Sequence, residues 1–182
     1  MIFIAHRGLT DGPNRLRENT PEQILSAISQ DFIAEIDVWE YQDSWWLGHY
    51  EPQHLVDDNV LQLLSRACGN DYQHLLMHMK NAEGFRHIFD DAQPRHFFWH
   101  ENDRFTVTSH GWQIENINEQ EPAWGTIINQ PELHDFFLDD SHLNVGLCER
   151  FLRKYGMNAM GVMTKYPRLF AEAWERIQND TK

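Results

Sequence analysis

The sequence predicts an α/β fold, and three observations carry that prediction. Short apolar runs alternate with stretches of helical period along the chain. Apolar residues make up 41% of the 182, with seven Trp and eleven Phe, which suits a sizeable core and argues against disorder. His, Asp and Glu side chains recur at or just past the ends of the apolar runs. No repeat, low-complexity tract or linker divides the chain, so residues 1–182 read as one domain.

Ile2–Ala5 is apolar and β-rich, and ends in His6. Thr20-Pro21-Glu22 opens a helix, with Thr20 as N-cap, Pro21 at the first helical position and Glu22 favouring the positive end. Its buried stripe is Ile24, Leu25, Ala27 and Ile28. Ile33–Val38 alternates as a strand, with Glu35 and Asp37 on one face and Ile36 and Val38 on the other. Tyr41–Ser44 turns the chain, and Trp45–Gly48 returns as a strand ending at His49. Asp57–Ala67 is a helix, Leu75–Met79 a strand, Ala82–Asp90 a helix and Phe97–Trp99 a strand. Phe105–Ser109 and Trp112–Asn116 form a hairpin around His110-Gly111. Thr126–Asn129 is a short strand, and Asn144–Tyr155 a helix ended by Gly156 at C′. Ala159–Thr164 and Pro167–Gln178 are the last strand and helix.

Such alternation predicts a parallel sheet with helices outside. Closed on itself it is a small or reduced (β/α)8 TIM-type barrel. Barrels of this kind usually take about 250 residues, with about 200 within range. Several helices are therefore expected to shrink to loops, notably between residues 100 and 143.

The net charge of −13 is uneven, with five basic and 22 acidic residues between positions 31 and 149. That middle repels nucleic acid and anionic membrane and is congenial to a divalent cation. For the average acid here, acidic loops that merely keep the chain soluble are the favoured reading. Mean hydropathy is −0.61. The N-terminus runs straight into His6 without a charged region, long apolar stretch or cleavage site, and no apolar run approaches the length of a membrane span. Cys68 and Cys148 have no CxxC spacing and read as buried free thiols rather than a disulfide. A cytoplasmic protein is expected.

His6, Glu35, Asp37, His49, His78 or Lys80, and His100 all fall at strand ends. In a parallel barrel those ends meet on one rim, where barrel enzymes do their chemistry. Glu35 and Asp37 stand about 7 Å apart on one side of a strand, close enough to share a hard cation such as Mg²⁺ or Ca²⁺. Solvent exposure on an edge strand is the competing reading for this pair. Two histidines at strand ends suit a general acid and base, because imidazole changes charge near neutral pH. The chain has eleven histidines, and His54, His74, His87, His96, His110, His134 and His142 are taken as structural or solvated.

Read together, Ile4-Ala5-His6-Arg7-Gly8, Arg17-Glu18-Asn19-Thr20-Pro21-Glu22, Glu35-Ile36-Asp37-Val38 and Leu47-Gly48-His49 resemble, in order and spacing, the opening motifs of the glycerophosphodiester phosphodiesterases. These belong to the phospholipase-C-like barrel superfamily. The closing Gly161-Val162-Met163-Thr164-Lys165-Tyr166-Pro167 resembles the family's last strand and turn. Trp99-His100-Glu101-Asn102-Asp103-Arg104-Phe105-Thr106-Val107-Thr108-Ser109-His110-Gly111 resembles a run of a short-chain subset. The likeness is concentrated in residues 3–52. It implies His6 and His49 as the acid–base pair, and Arg7 and Lys80 as phosphate-binding groups. It places a divalent metal, Mg²⁺ or Ca²⁺, on Glu35 and Asp37 with Glu18 in support. Asn19 would brace the loop. The implied partner is a small phosphodiester, with no nucleic acid and no membrane.

The chain departs from the family at three places. Tyr50 replaces the Asp that follows the second histidine, leaving Glu51 to substitute. His78 stands where a third metal-binding Glu is usual; as a ligand it shifts preference toward Mn²⁺ or Zn²⁺. Lys165 replaces the closing Asp. His100 fits either a supporting role at the metal or a core position beside Trp99. The expected reaction is hydrolysis, or intramolecular phosphoryl transfer, at a phosphodiester such as a glycerophosphodiester. The alternative keeps the metal site but binds a phosphorylated ligand without turnover. An amidohydrolase-like site fits less well, since the first strand lacks two histidines one residue apart.

Overall fold

The computed structural model describes residues 1–68, 73–90, 95–100, 103–117, 121–137 and 143–180. Glu101, Asn102 and His142, named above, lie outside them. The elements are β1 (Ile2–Ala5), α1 (Pro21–Ser29), β2 (Ile33–Tyr41), β3 (Ser44–Leu47), β4 (His54–Leu55), α2 (Asp58–Cys68), β5 (Leu75–Met79), α3 (Ala82–Asp90), β6 (Phe97–Phe98), β7 (Phe105–Val107), β8 (Gln113–Asn116), β9 (Ile127–Asn129), α4 (Val145–Phe151), β10 (Gly161–Thr164) and α5 (Pro167–Asp180). Helix α1 begins as its sequence dictates: Thr20 Oγ1 accepts the Gln23 N–H at 3.3 Å, and Pro21 needs no donor at the first helical position.

Parallel ladders run in the order β6-β5-β2-β1-β10-β9-β8. Antiparallel β3 takes over one flank of β2 beyond Val38, β4 follows β3, and antiparallel β7 closes the other end on β8. The sheet is curled. One residue from each of six parallel strands, Ile4, Leu76, Phe98, Ile114, Ile127 and Met163, meets on its inner side in an apolar plug. The outer face carries two larger clusters. One packs β2 and β5 against α1, α2 and α3, and the other packs Val162 against α4 and α5.

This is not the expected (β/α)8 TIM-type barrel. The sheet is mixed and forms a half-barrel, and the described residues hold five α-helices. Between β6 and β9, where a barrel would alternate strand and helix, the chain makes the β7–β8 hairpin. A hairpin reverses direction in a few residues, whereas a parallel neighbour needs a crossover of a dozen or more. The segment after residue 99 is too short in helix-period apolar residues to supply one. The edge strand β7 presents Phe105 and Val107 to solvent.

One local expectation also changes. Helix α4 runs on through Leu152–Gly156 as a π-turn, so Gly156 lies inside it and not at a left-handed C′. A Cβ there would sit 2.7 Å from Leu152 Cδ2, so packing explains the glycine. Cys68 and Cys148 are buried free thiols. Among the described residues, no helix is long and apolar enough to cross a membrane.

At the other end of the sheet from the strand C-termini, His96 is 3% exposed. Its ring stacks on His110 at 4.3 Å, meets Trp112 edge-on, and places Nε2 2.7 Å from Thr108 Oγ1. Burial, then the neighbouring His110, pulls its pKa from the ordinary 6.5 down to about 4. The unfolded chain therefore binds a proton at this position that the folded chain refuses. The resulting stability is intact above pH 6.5 and is lost as the pH falls toward about 4. Urea midpoints measured between pH 7 and pH 4 should fall less steeply for His96→Asn than for wild type; parallel slopes would rule this source out.

Candidate functional site

The pleat explains how the polar residues gather. Side chains two apart on a strand share a face. Each inward apolar residue of the plug is therefore followed, two positions on, by a polar residue one layer higher: Ile4 by His6, Leu76 by His78, Phe98 by His100, Ile114 by Asn116, Ile127 by Asn129 and Met163 by Lys165. Glu35 and Asp37 continue the same inward face of β2. A cleft of about 680 Å³ opens over this layer, lined by His6, Arg7, Glu35, His49, His78 and Lys80 on one side. Asn116, Asn129 and Gln130 line it elsewhere.

Asp37 is the hub. Its Oδ2 accepts from Asn19 Nδ2 at 2.9 Å and lies 3.1 Å from His49 Nδ1 and 3.3 Å from Arg7 Nε. Its Oδ1 lies 3.0 Å from His78 Nδ1 and 3.4 Å from Lys80 Nζ. Burial works to raise the Asp37 pKa, but the His49 and His78 hydrogen bonds and the Lys80 charge hold it well below the usual carboxylate range. Glu35 shows the opposite. Burial, then the negative charge of Asp37, pushes its carboxyl up to about 8. Two carboxylates this close in a dry site cannot both ionise freely. The solvent-exposed reading of the pair is excluded, since both are 1% exposed.

Arg7 sits in a left-handed conformation with φ 55°, as does Asn19 with φ 59°. Such a backbone costs a non-glycine residue about 1 kcal/mol or more and persists where its surroundings fix it. Here the turn aims the Arg7 N–H at Glu35 Oε2 at 2.9 Å, and the Arg7 carbonyl accepts the Asn19 N–H at 3.0 Å. The Arg7 Nη1 donates to Glu18 Oε2 at 3.1 Å, and Nη2 to His49 Nε2 at 2.9 Å. Because arginine only donates, His49 Nε2 must accept, so the His49 proton is on Nδ1 facing Asp37. Gly48 lets the chain bend to bring His49 here: a Cβ at Gly48 would lie 2.1 Å from the Glu51 carbonyl.

His6 is 6% exposed, with Nε2 3.7 Å from Glu35 Oε2 and a buried Nδ1 that has no hydrogen-bond partner. Burial, then the positive charge of Arg7, holds it neutral well below its usual pKa. His78 stacks on Phe98 at 4.7 Å and on His100 at 4.8 Å. Burial, then the charges of His78 and Lys80, lowers His100 to about 4. Three groups bring ligand atoms within 4.8 Å of one another: Glu35, Asp37 and His78. Two carboxylate oxygens and an imidazole nitrogen suit a divalent ion, and such an ion would relieve the strained ionisation of Glu35. The donor set fits.

Several expected roles are not what the geometry provides. Glu18 is no part of that trio; its Oε2 holds Arg7 and, at 3.2 Å, Lys165 Nζ. Lys165 thus neutralises Glu18. Glu51 is exposed and does not replace the missing Asp, while Tyr50 projects outward with its ring edge-on to His49 at 4.4 Å. His100 reaches the site through its stack on His78 and lines the cleft beside Trp99. Asn19 braces the loop as expected, donating to Asp37 and accepting the Asp37 N–H at 2.9 Å. Sequence reasoning missed Asn116 and Asn129. Both close predicted strands, two residues past an inward isoleucine, and that register was the available signal. In comparisons with known proteins, no family model, curated protein or solved structure matches the chain.

Proposed function

We propose that the protein is a metal-dependent phosphodiester hydrolase, or intramolecular phosphoryl transferase, related to the glycerophosphodiester phosphodiesterases and acting on a small diester in the cytoplasm. One observation carries the reading: a Glu35–Asp37–His78 trio that fits a divalent ion adjoins a cleft lined by Glu35 and His78 together with His6, His49, Arg7 and Lys80. A bound divalent metal would offset charge developing on phosphate oxygens. Arg7 and Lys80 add fixed positive charge on the same side, and Arg7's planar fork suits a non-bridging phosphate oxygen. His6, held neutral, is suited to take a proton from an attacking hydroxyl or water. His49, tied to Asp37 through Nδ1, would return one to the leaving alcohol from Nε2 once Arg7 has turned to the substrate and Nε2 has taken up a proton. The acidic overall charge disfavours nucleic acid and anionic membranes as partners.

A second reading, binding of a phosphorylated ligand without turnover, is favoured by one contact. Arg7 occupies the His49 Nε2 lone pair, so His49 moves protons only after Arg7 shifts to the substrate.

The test is an assay of metal-stripped protein on a panel of phosphodiesters with Mg²⁺, Ca²⁺, Mn²⁺ or Zn²⁺ added back, alongside calorimetric metal binding. Turnover restored by metal, with Mn²⁺ or Zn²⁺ preferred because His78 supplies nitrogen, is expected. Metal binding without turnover of any diester would favour the second reading. The Glu35 proton must leave on binding, so apparent Mn²⁺ affinity should rise about tenfold per pH unit from pH 6 and flatten near pH 8. A pH-independent affinity would remove Glu35 from the ligand set.

A further inference from the structure

Asn116 and Asn129 sit opposite each other in the β8–β9 ladder, separated from the carboxylates on β2 by β1 and β10. Asn116 Nδ2 donates to the Asp103 carbonyl at 2.9 Å. That contact fixes which end of the Asn116 amide is oxygen, because a carbonyl accepts only. Asn116 Oδ1 therefore faces Asn129, which must donate, and Asn129 Nδ2 does so at 2.6 Å. The Asn129 amide is locked by this chain with its own Oδ1 left over. Asn129 is 7% exposed and lines the cleft, and its buried Oδ1 has no hydrogen-bond partner.

An orphaned buried acceptor costs roughly 1–3 kcal/mol, and native proteins rarely keep one without a use. We propose that Asn129 is a specificity residue that binds a hydroxyl on the alcohol portion of a phosphate ester, oriented for that task by Asn116. The proposal rests on the preceding reading for the position of the phosphate, which the Arg7 and Lys80 side of the cleft would hold. A hydroxyl fits better than an ammonium. A lone hydroxyl brings one donor to this one unpartnered acceptor, whereas an ammonium would bring three, and Asn116 Oδ1 already accepts from Asn129. A site built to accept a hydrogen bond rejects an analogue that lacks the donor more strongly than an apolar pocket rejects an extra methylene.

The test is calorimetric binding of three probes to the metal-loaded protein: glycerol 3-phosphate, O-phosphoethanolamine and n-propyl phosphate. Wild type should bind glycerol 3-phosphate at least about tenfold more tightly than the other two. Asn129→Ala should abolish that preference while keeping its affinity for n-propyl phosphate, which also certifies the fold of the variant. Asn116→Ala should weaken the preference partially, by freeing the Asn129 amide to turn. Equal wild-type affinity for glycerol 3-phosphate and n-propyl phosphate would overturn the assignment whether or not Asn129→Ala folds, as would a preference that survives in Asn129→Ala. A preference for O-phosphoethanolamine would also overturn it, since the donor sought would be an ammonium. These are binding measurements, so hydroxyl preference without turnover of any diester would sink the hydrolase reading and leave the role of Asn129 standing.

Discussion

Asp37→Ala is expected to destabilise the protein by about 3–5 kcal/mol, because removing one member of a buried ion-pair network leaves its partners uncompensated. Asn19, His49, His78, Arg7 and Lys80 all converge on its two oxygens. Glu35 moderates the loss. Once the charge of Asp37 is gone, Glu35 ionises more readily and takes over part of the positive charge. Even so, about a fifth or more of an ordinary domain's stability of about 5–15 kcal/mol is at stake. Guanidinium unfolding at pH 7, with the slope unchanged, measures it. A loss under about 1 kcal/mol would mean that the network is spread over other acceptors. Asp37→Asn keeps the shape but turns one acceptor into a donor facing donors, so it should also destabilise, though less.

His6→Ala should lower kcat on a cleavable diester by about 10²–10⁴-fold with little change in KM, the usual contribution of a positioned acid or base. His49→Ala should lower kcat comparably and raise KM as well, because Arg7 loses a partner that orients it. The two variants therefore separate proton transfer from phosphate positioning. The pH profile adds a sign. His6 is kept neutral well below its usual pKa, so a His6 base stays active as the pH falls below 6.5, and the acidic limb of kcat/KM belongs below that value. Equal turnover by wild type and both variants would remove the pair from the chemistry.

The candidate site was more legible in the sequence than the fold. The N-terminal third announces itself because one strand and its flanking turns carry nearly the whole network. Glu35 and Asp37 are two apart, Asn19 sits at a turn where its left-handed backbone is tolerated, and His49 follows Gly48 where a close approach needs glycine. Alternation alone put Glu35 and Asp37 on one face. It could not tell an exposed face from the inside of a curl, because that depends on which strands flank β2. The barrel expectation failed where short strands do not reveal direction. Phe105–Ser109 and Trp112–Asn116 were rightly paired as a hairpin, seen as Phe105–Val107 against Gln113–Asn116, yet a hairpin is what breaks a run of parallel crossovers. Glu18 was misassigned for a related reason. Its partner Lys165 lies 147 positions away, and the β1–β10 ladder, with the Gly12 N–H on the Lys165 carbonyl, brings them together.

That ladder, pairing Ile2 with Gly161 and Ala5 with Thr164, also sets the order in which the molecule can be made. A chain leaving the ribosome presents β1 long before its neighbour β10. Until residues 161–164 arrive, one flank of β1 is an open edge beside His6 and Arg7, able to recruit a strand from another nascent chain. Glu18 waits equally long for Lys165. The acids and histidines of the cleft are thus synthesised early but assembled late, and a chain broken off before β10 would carry the opening motif in full while leaving the site unclosed.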